Sequence, residues 1–74
     1  MRLSEVSPNS EVKIQSFHDS DLELKLLEFG IAINSSIAVQ RKAPFGGPIL
    51  IGTQNGSIAL RKTEAQTLDV ILIE

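Results

Sequence analysis

The sequence predicts an all-β (mainly β) domain, a partly open or closed barrel of about five short strands with one short helix after the first strand. Three observations carry this. Runs of Ile, Leu and Val alternate with polar residues over four to six positions, the period of a strand with one buried face. Asn55-Gly56 separates two such runs and is a strong hairpin signal. Ala43-Pro44-Phe45-Gly46-Gly47-Pro48 cannot be helix or central strand, because proline fixes φ and removes a donor while glycine opens positive φ. So many short strands favour closure of the sheet, which removes exposed edges.

A turn at Pro8-Asn9-Ser10 leads into a strand over Val12–Phe17. His18-Asp19-Ser20 breaks the alternation. Ser20 and Glu23 form a capping box, in which the two side chains satisfy free N–H groups at a helix start. The helix is expected from about Asp21 to Phe29, stopping at Gly30 in a left-handed cap. At ~100° per residue, Leu22, Leu26 and Phe29 share an arc that faces the core. Leu24 and Leu27 lie nearly opposite. Either the core wraps both sides of the helix, or Leu24 and Leu27 form an exposed patch for a partner.

After a linker at Ile31 to Ser35, Ile37 and Val39 face inward on a strand whose basic end, Arg41-Lys42, emerges at the Pro-Gly loop. Ile49-Leu50-Ile51 resumes the sheet. Asn55-Gly56 should form a type I′ turn, returning through Ile58 and Leu60. Thr63 and Gln66 form a second capping box, opening one helical turn through Leu68, and Asp69 to Glu74 close the sheet. Ile71 and Ile73 are either buried under that turn or free to pair an edge strand with a second copy.

Seventy-four residues allow a single domain, 1–74, near the lower limit at which one core outweighs ordering entropy. There is no cysteine to form a disulfide or ligate zinc, and one histidine. The 42% apolar content, mostly aliphatic, must supply the core. Neither a signal pattern nor a membrane-spanning run occurs, which points to a cytoplasmic protein without direct membrane insertion.

Catalysis finds little support. The chain has no cysteine nucleophile, nucleophile elbow, Walker loop or dinucleotide fingerprint. His18, Asp19, Asp21 and Glu23 lie close in sequence, but negative charge is expected at a helix N-terminus anyway. No cofactor is expected beyond a weak association with Fe2+ or Zn2+. A formal charge of −2 and the absence of Trp and Tyr speak against a nucleic-acid partner and against an aromatic groove for polyproline. Arg41-Lys42 and Arg61-Lys62 are either solvated strand ends or a local basic patch for an acidic partner.

Lys25-Leu26-Leu27-Glu28-Phe29-Gly30, the loop Arg41 to Pro48, and Ala59-Leu60-Arg61-Lys62-Thr63-Glu64-Ala65 together resemble the FeoA-like family of ferrous iron transport protein A. Related domains occur at the C-termini of iron-dependent repressors. Where the family usually has Pro-Gly after the helix this chain has Ile33-Asn34, and Asn9 stands where glycine is frequent in the first turn. Asn tolerates the left-handed region, so both turns can survive.

The resemblance implies a small SH3-like barrel and a cytoplasmic accessory of ferrous iron uptake. Its partner would be the cytoplasmic region of a FeoB-type membrane transporter. Candidate contact residues are Leu24 and Leu27 on the helix, Arg41 and Lys42, and the loop residues Pro44, Phe45, Gly46, Gly47 and Pro48. The alternative is a metal-responsive sensor domain.

Overall fold

The computed structural model describes residues 1–73 and bears out a mainly β domain. The strands are β1 (Ser10–Phe17), β2 (Ser36–Lys42), β3 (Ile49–Thr53), β4 (Gly56–Leu60) and β5 (Leu68–Leu72). Helix α1 (Ser20–Glu28) follows β1, and the single-turn helix α2 (Lys62–Ala65) precedes β5. All pairings are antiparallel in one sheet of order β4-β3-β2-β1-β5, curled but unclosed, as in an open SH3-like barrel. A 3-10 turn at Leu3–Glu5 follows Met1, whose carbonyl accepts from the Val70 N–H (2.8 Å) on the far side of β5 from β1.

The core is wholly aliphatic. Leu3, Val12, Ile14, Leu26, Val39, Ile51, Leu60, Leu68 and Val70 are fully buried, and Phe17 and Ile58 pack at its margin. No polar or charged residue is buried among the described residues, so hydrophobic transfer carries the interior without a polar network.

Helix α1 begins one residue earlier than the capping box suggested. Asp19, not Ser20, is the N-cap, its carboxylate accepting from the Asp21 N–H at 2.9 Å. Its end is as expected: Gly30 has φ +77°, the Gly30 N–H donates to Leu27 O (2.9 Å) and the Ile31 N–H to Leu26 O (2.9 Å). This is a Schellman ending, in which Ile31 turns in beneath Leu26. Ile31 is therefore buried and takes the core place predicted for Phe29, which is exposed. Asn9 (φ +68°) and Asn34 (φ +75°) do occupy the left-handed region.

Two other local details differ. In the β3–β4 hairpin, Thr53 pairs with Gly56, leaving Gln54 and Asn55 at the turn, neither with positive φ. The expected type I′ turn at Asn55-Gly56 is thus replaced by a turn one residue earlier, with Gly56 (φ +114°) resuming the strand. At α2 the box is Arg61 and Glu64, the Glu64 carboxylate accepting from the Arg61 N–H (2.9 Å), two residues before the Thr63–Gln66 pair.

Two bulges set which side chains face out. Between Val39 and Arg41 the β2–β3 register shifts at Gln40, and between Ile14 and Ser16 the β1–β5 register shifts at Gln15. Strict alternation would place Arg41 on the side of Ile37 and Val39. The bulge reverses the phase, so Arg41 sits opposite Leu50 on the outer face and Lys42 opposite the buried Ile49.

Candidate functional site

The tip of the β2–β3 hairpin is closed by two hydrogen bonds. The Ala43 N–H donates to Pro48 O (2.9 Å), and the Gly47 N–H donates to Pro44 O (3.2 Å). Between them, Phe45 (φ +59°) and Gly46 (φ +73°) are both left-handed, as the two central residues of a type I′ turn are. Gly46 adopts this at no steric cost. Phe45 does not: its Cβ crowds the backbone, at about 1–2 kcal/mol. Gly47 is needed for a different reason, since a Cβ there would lie 2.7 Å from the Ala43 Cβ and 3.2 Å from Pro44 O.

Nothing in the fold compensates Phe45. Its exposure is 104% of that of a free residue, so the ring buries no area against the chain. A strained backbone carrying a wholly solvated aromatic is unusual in a domain this short of core. At the base of the tip, reaching Phe45's neighbour Pro44 but not Phe45 itself, lies an apolar groove of about 230 Å³, lined by Arg41, Ala43, Pro44, Pro48, Leu50 and Ala59. Leu50 and Ala59 were missed in the sequence reading, although the hairpin signal was there: β3–β4 pairing sets Ala59 opposite Leu50.

The cations divide between two tasks. Lys42 is half-buried and donates to Ser4 O (2.8 Å) and Val6 O (3.3 Å), pinning the N-terminal segment to the base of the tip. Arg41, Arg61 and Lys62 are exposed, and the Lys62 side chain lies against Gly46. The Arg41-Lys42 and Arg61-Lys62 pairs therefore do approach each other.

Leu24 (61%) and Leu27 (57%) are exposed, so the second helical stripe is not wrapped by core. It forms a patch separate from the tip, with α2 between: Lys25 reaches Glu64 at 3.5 Å while Lys62 borders Gly46. Ile71 and Ile73 are likewise exposed, not covered by α2.

The histidine is committed elsewhere. His18 Nε2 lies 2.7 Å from an Asp69 carboxylate oxygen, which also accepts from Ser16 Oγ (3.2 Å), and Arg2 Nε lies 3.3 Å from the other oxygen. The His18 hydrogen bond first, then Ser16 and the Arg2 charge, hold the Asp69 carboxyl below its ordinary value. Asp19 caps α1. The sequence cluster His18, Asp19, Asp21 and Glu23 thus does not converge, and no group of three or more such ligands occurs among the described residues. The cleft of about 300 Å³ between the end of α1 and the β3–β4 turn is lined by Phe29, Gly30, Ile31, Asn34, Ser35, Ser36, Thr53, Gln54 and Asn55, none of which titrates. No helix among the described residues is long and apolar enough to cross a membrane.

Comparison with known proteins supports the fold. The FeoA domain family model matches residues 1–72. Among solved structures, the FeoA-like protein of Clostridium acetobutylicum is 32% identical with a TM-score of 0.85, covering 100% of this chain and 87% of that one. Iron(II) transport protein A of Clostridium thermocellum is also 32% identical (TM-score 0.87), over 99% of this chain and 46% of that one. ScaR with bound Zn2+ shares the fold at 20% identity and a TM-score of 0.85, over 99% of this chain and 37% of its own. Among curated proteins none matches the chain in sequence.

Proposed function

Because the chain belongs to the FeoA family, which ties it to ferrous iron transport, we propose that it is a non-enzymatic cytoplasmic accessory docking on the cytoplasmic region of a FeoB-type membrane transporter. The observation that carries this is the set of apolar side chains the fold leaves unused: Leu24 and Leu27 on α1 and Phe45 at the tip. Apolar side chains left uncovered at two separate places on a small domain suit contact with another molecule. A preformed tip, its ends tied by two hydrogen bonds, loses little entropy on docking.

The groups on hand suit binding better than chemistry. His18 is turned to Asp69, and the cleft at the end of α1 holds no acid or base to activate its hydroxyls. The same commitment of His18 weighs against the metal-responsive alternative, as does the use of Asp19 as a cap.

Calorimetric titration of the transporter's cytoplasmic region with this protein tests the reading. Wild type should bind saturably, and Leu24→Asp/Leu27→Asp should weaken binding at least tenfold with an unchanged circular dichroism spectrum. Undiminished affinity in the folded double variant removes α1 from the interface. Micromolar Fe2+ or Zn2+ binding abolished by His18→Ala would favour the sensor instead.

A further inference from the structure

We infer that the β2–β3 tip receives an acidic polypeptide segment bearing an apolar side chain. That side chain enters the groove beside Pro44 and Pro48, with the Phe45 ring against it, and Arg41, Arg61 and Lys62 meet the flanking carboxylates. This deepens the docking reading above and rests on it for the biological partner, while the chemistry of the tip stands on three separate observations.

The first is Phe45. A bulky residue at φ +59° with a fully exposed ring contributes strain and no burial to its own chain, so whatever favours Phe here lies outside the chain. The second is charge. Of seven Lys and Arg residues, four (Arg41, Lys42, Arg61 and Lys62) gather at this end of a molecule whose net charge is −2. None of the four forms a salt bridge among the described residues, whereas Arg2 and Lys25 are paired with Asp69 and Glu64. Unpaired positive charge on an acidic molecule selects a negative partner. The third is shape. At about 230 Å³ the groove is smaller than the ~300–1,000 Å³ of drug-sized ligand sites and suits one side chain, with Arg41 at its rim.

These features together favour a polypeptide. A lipid surface would engage the cations and the ring but leave a concave groove unfilled. Nucleic acid would call for a second stacking surface, and Phe45 is the tip's single aromatic.

The test is an NMR titration of the 15N-labelled protein with a synthetic Asp/Glu-rich peptide carrying one central Leu. Two further peptides replace that Leu by Ser, or the acids by Lys. The acidic Leu peptide should shift the amides of Arg41, Phe45, Gly46, Gly47 and Leu50 saturably. The Ser peptide, Phe45→Gly and Arg41→Ala/Lys62→Ala should each weaken binding at least about tenfold, the scale of an interface hot spot. Raised salt should weaken it too. Phe45→Gly suits the turn's backbone, so the variant stays folded. An unperturbed tip, an equal response to the Lys peptide, or full affinity in Phe45→Gly overturns the proposal. So does co-sedimentation with phosphatidylglycerol vesicles that shifts the same amides. The titration contains no transporter. Failure of wild type to bind the transporter would refute the docking reading alone.

Discussion

His18 Nε2 and Asp69 Oδ2 are 2.7 Å apart, joining the end of β1 to β5 across the outer face of the sheet. The ionised carboxylate can only accept, so Nε2 is the protonated ring nitrogen. The Gln15 bulge makes this contact, because it turns Ser16 and Asp69 to the same outer side.

Since the folded state holds Asp69 below the ordinary carboxyl value of 3.8, its ionised form contributes stability that is complete above that pH. The contribution falls away as the pH drops through the lower, folded-state value. Asp69→Asn should melt below wild type at pH 7, and thermal scans of the two proteins should converge as the solution is acidified below pH 3.8.

Phe45→Asn should stabilise the protein. Asn tolerates the left-handed region, and the Phe ring it removes buries nothing. The expected gain is about 0.5–1 kcal/mol. In a domain of this size that raises Tm by about 2–8 °C, measurable by circular dichroism. A lower Tm would show that the ring supports the fold.

Two leucines two residues apart on α1 should behave oppositely. Leu26→Ala empties a fully buried position and should cost about 2–5 kcal/mol, a large share of a small domain's stability. Leu24→Ala, at an exposed position, should change urea unfolding by no more than about 0.5 kcal/mol.

Gly30→Ala should destabilise by about 1–2 kcal/mol, because φ is +77° there. The new Cβ would also sit 3.1 Å from Asn55 Nδ2, which donates to Phe29 O (3.0 Å). Hydrogen exchange should therefore quicken both at the end of α1 and in the β3–β4 turn.

Strand and helix identities were legible in the sequence because alternating aliphatics and a 3.6-residue stripe leave direct periodic traces. Leu22, Leu26, Ile37 and Val39 all face the core as that pattern requires. The bulges were not legible. Gln15 and Gln40 are ordinary strand residues in composition, and only the register of the neighbouring strand reveals an extra position. The outward direction of Arg41 and the inward one of Lys42 follow from that unseen shift. Turn chemistry misled in one instructive way: Asn55-Gly56 has the residues of a type I′ turn, while the two consecutive left-handed residues are Phe45 and Gly46. A bulky aromatic is a poor signal for that conformation. Its presence there could not be found from propensity.

β1 is the second strand from one side of the sheet, and the strand completing that side is β5, the last to be synthesised. Until residues 68–72 have left the ribosome, Val12 can pair with Ile37 of β2 and Ile14 can bond to Asn34 and Ser35, but neither has a partner on its other flank. The sheet therefore cannot be completed before residues 68–72 are available, and until then the chain must keep an aliphatic strand edge out of wrong pairings.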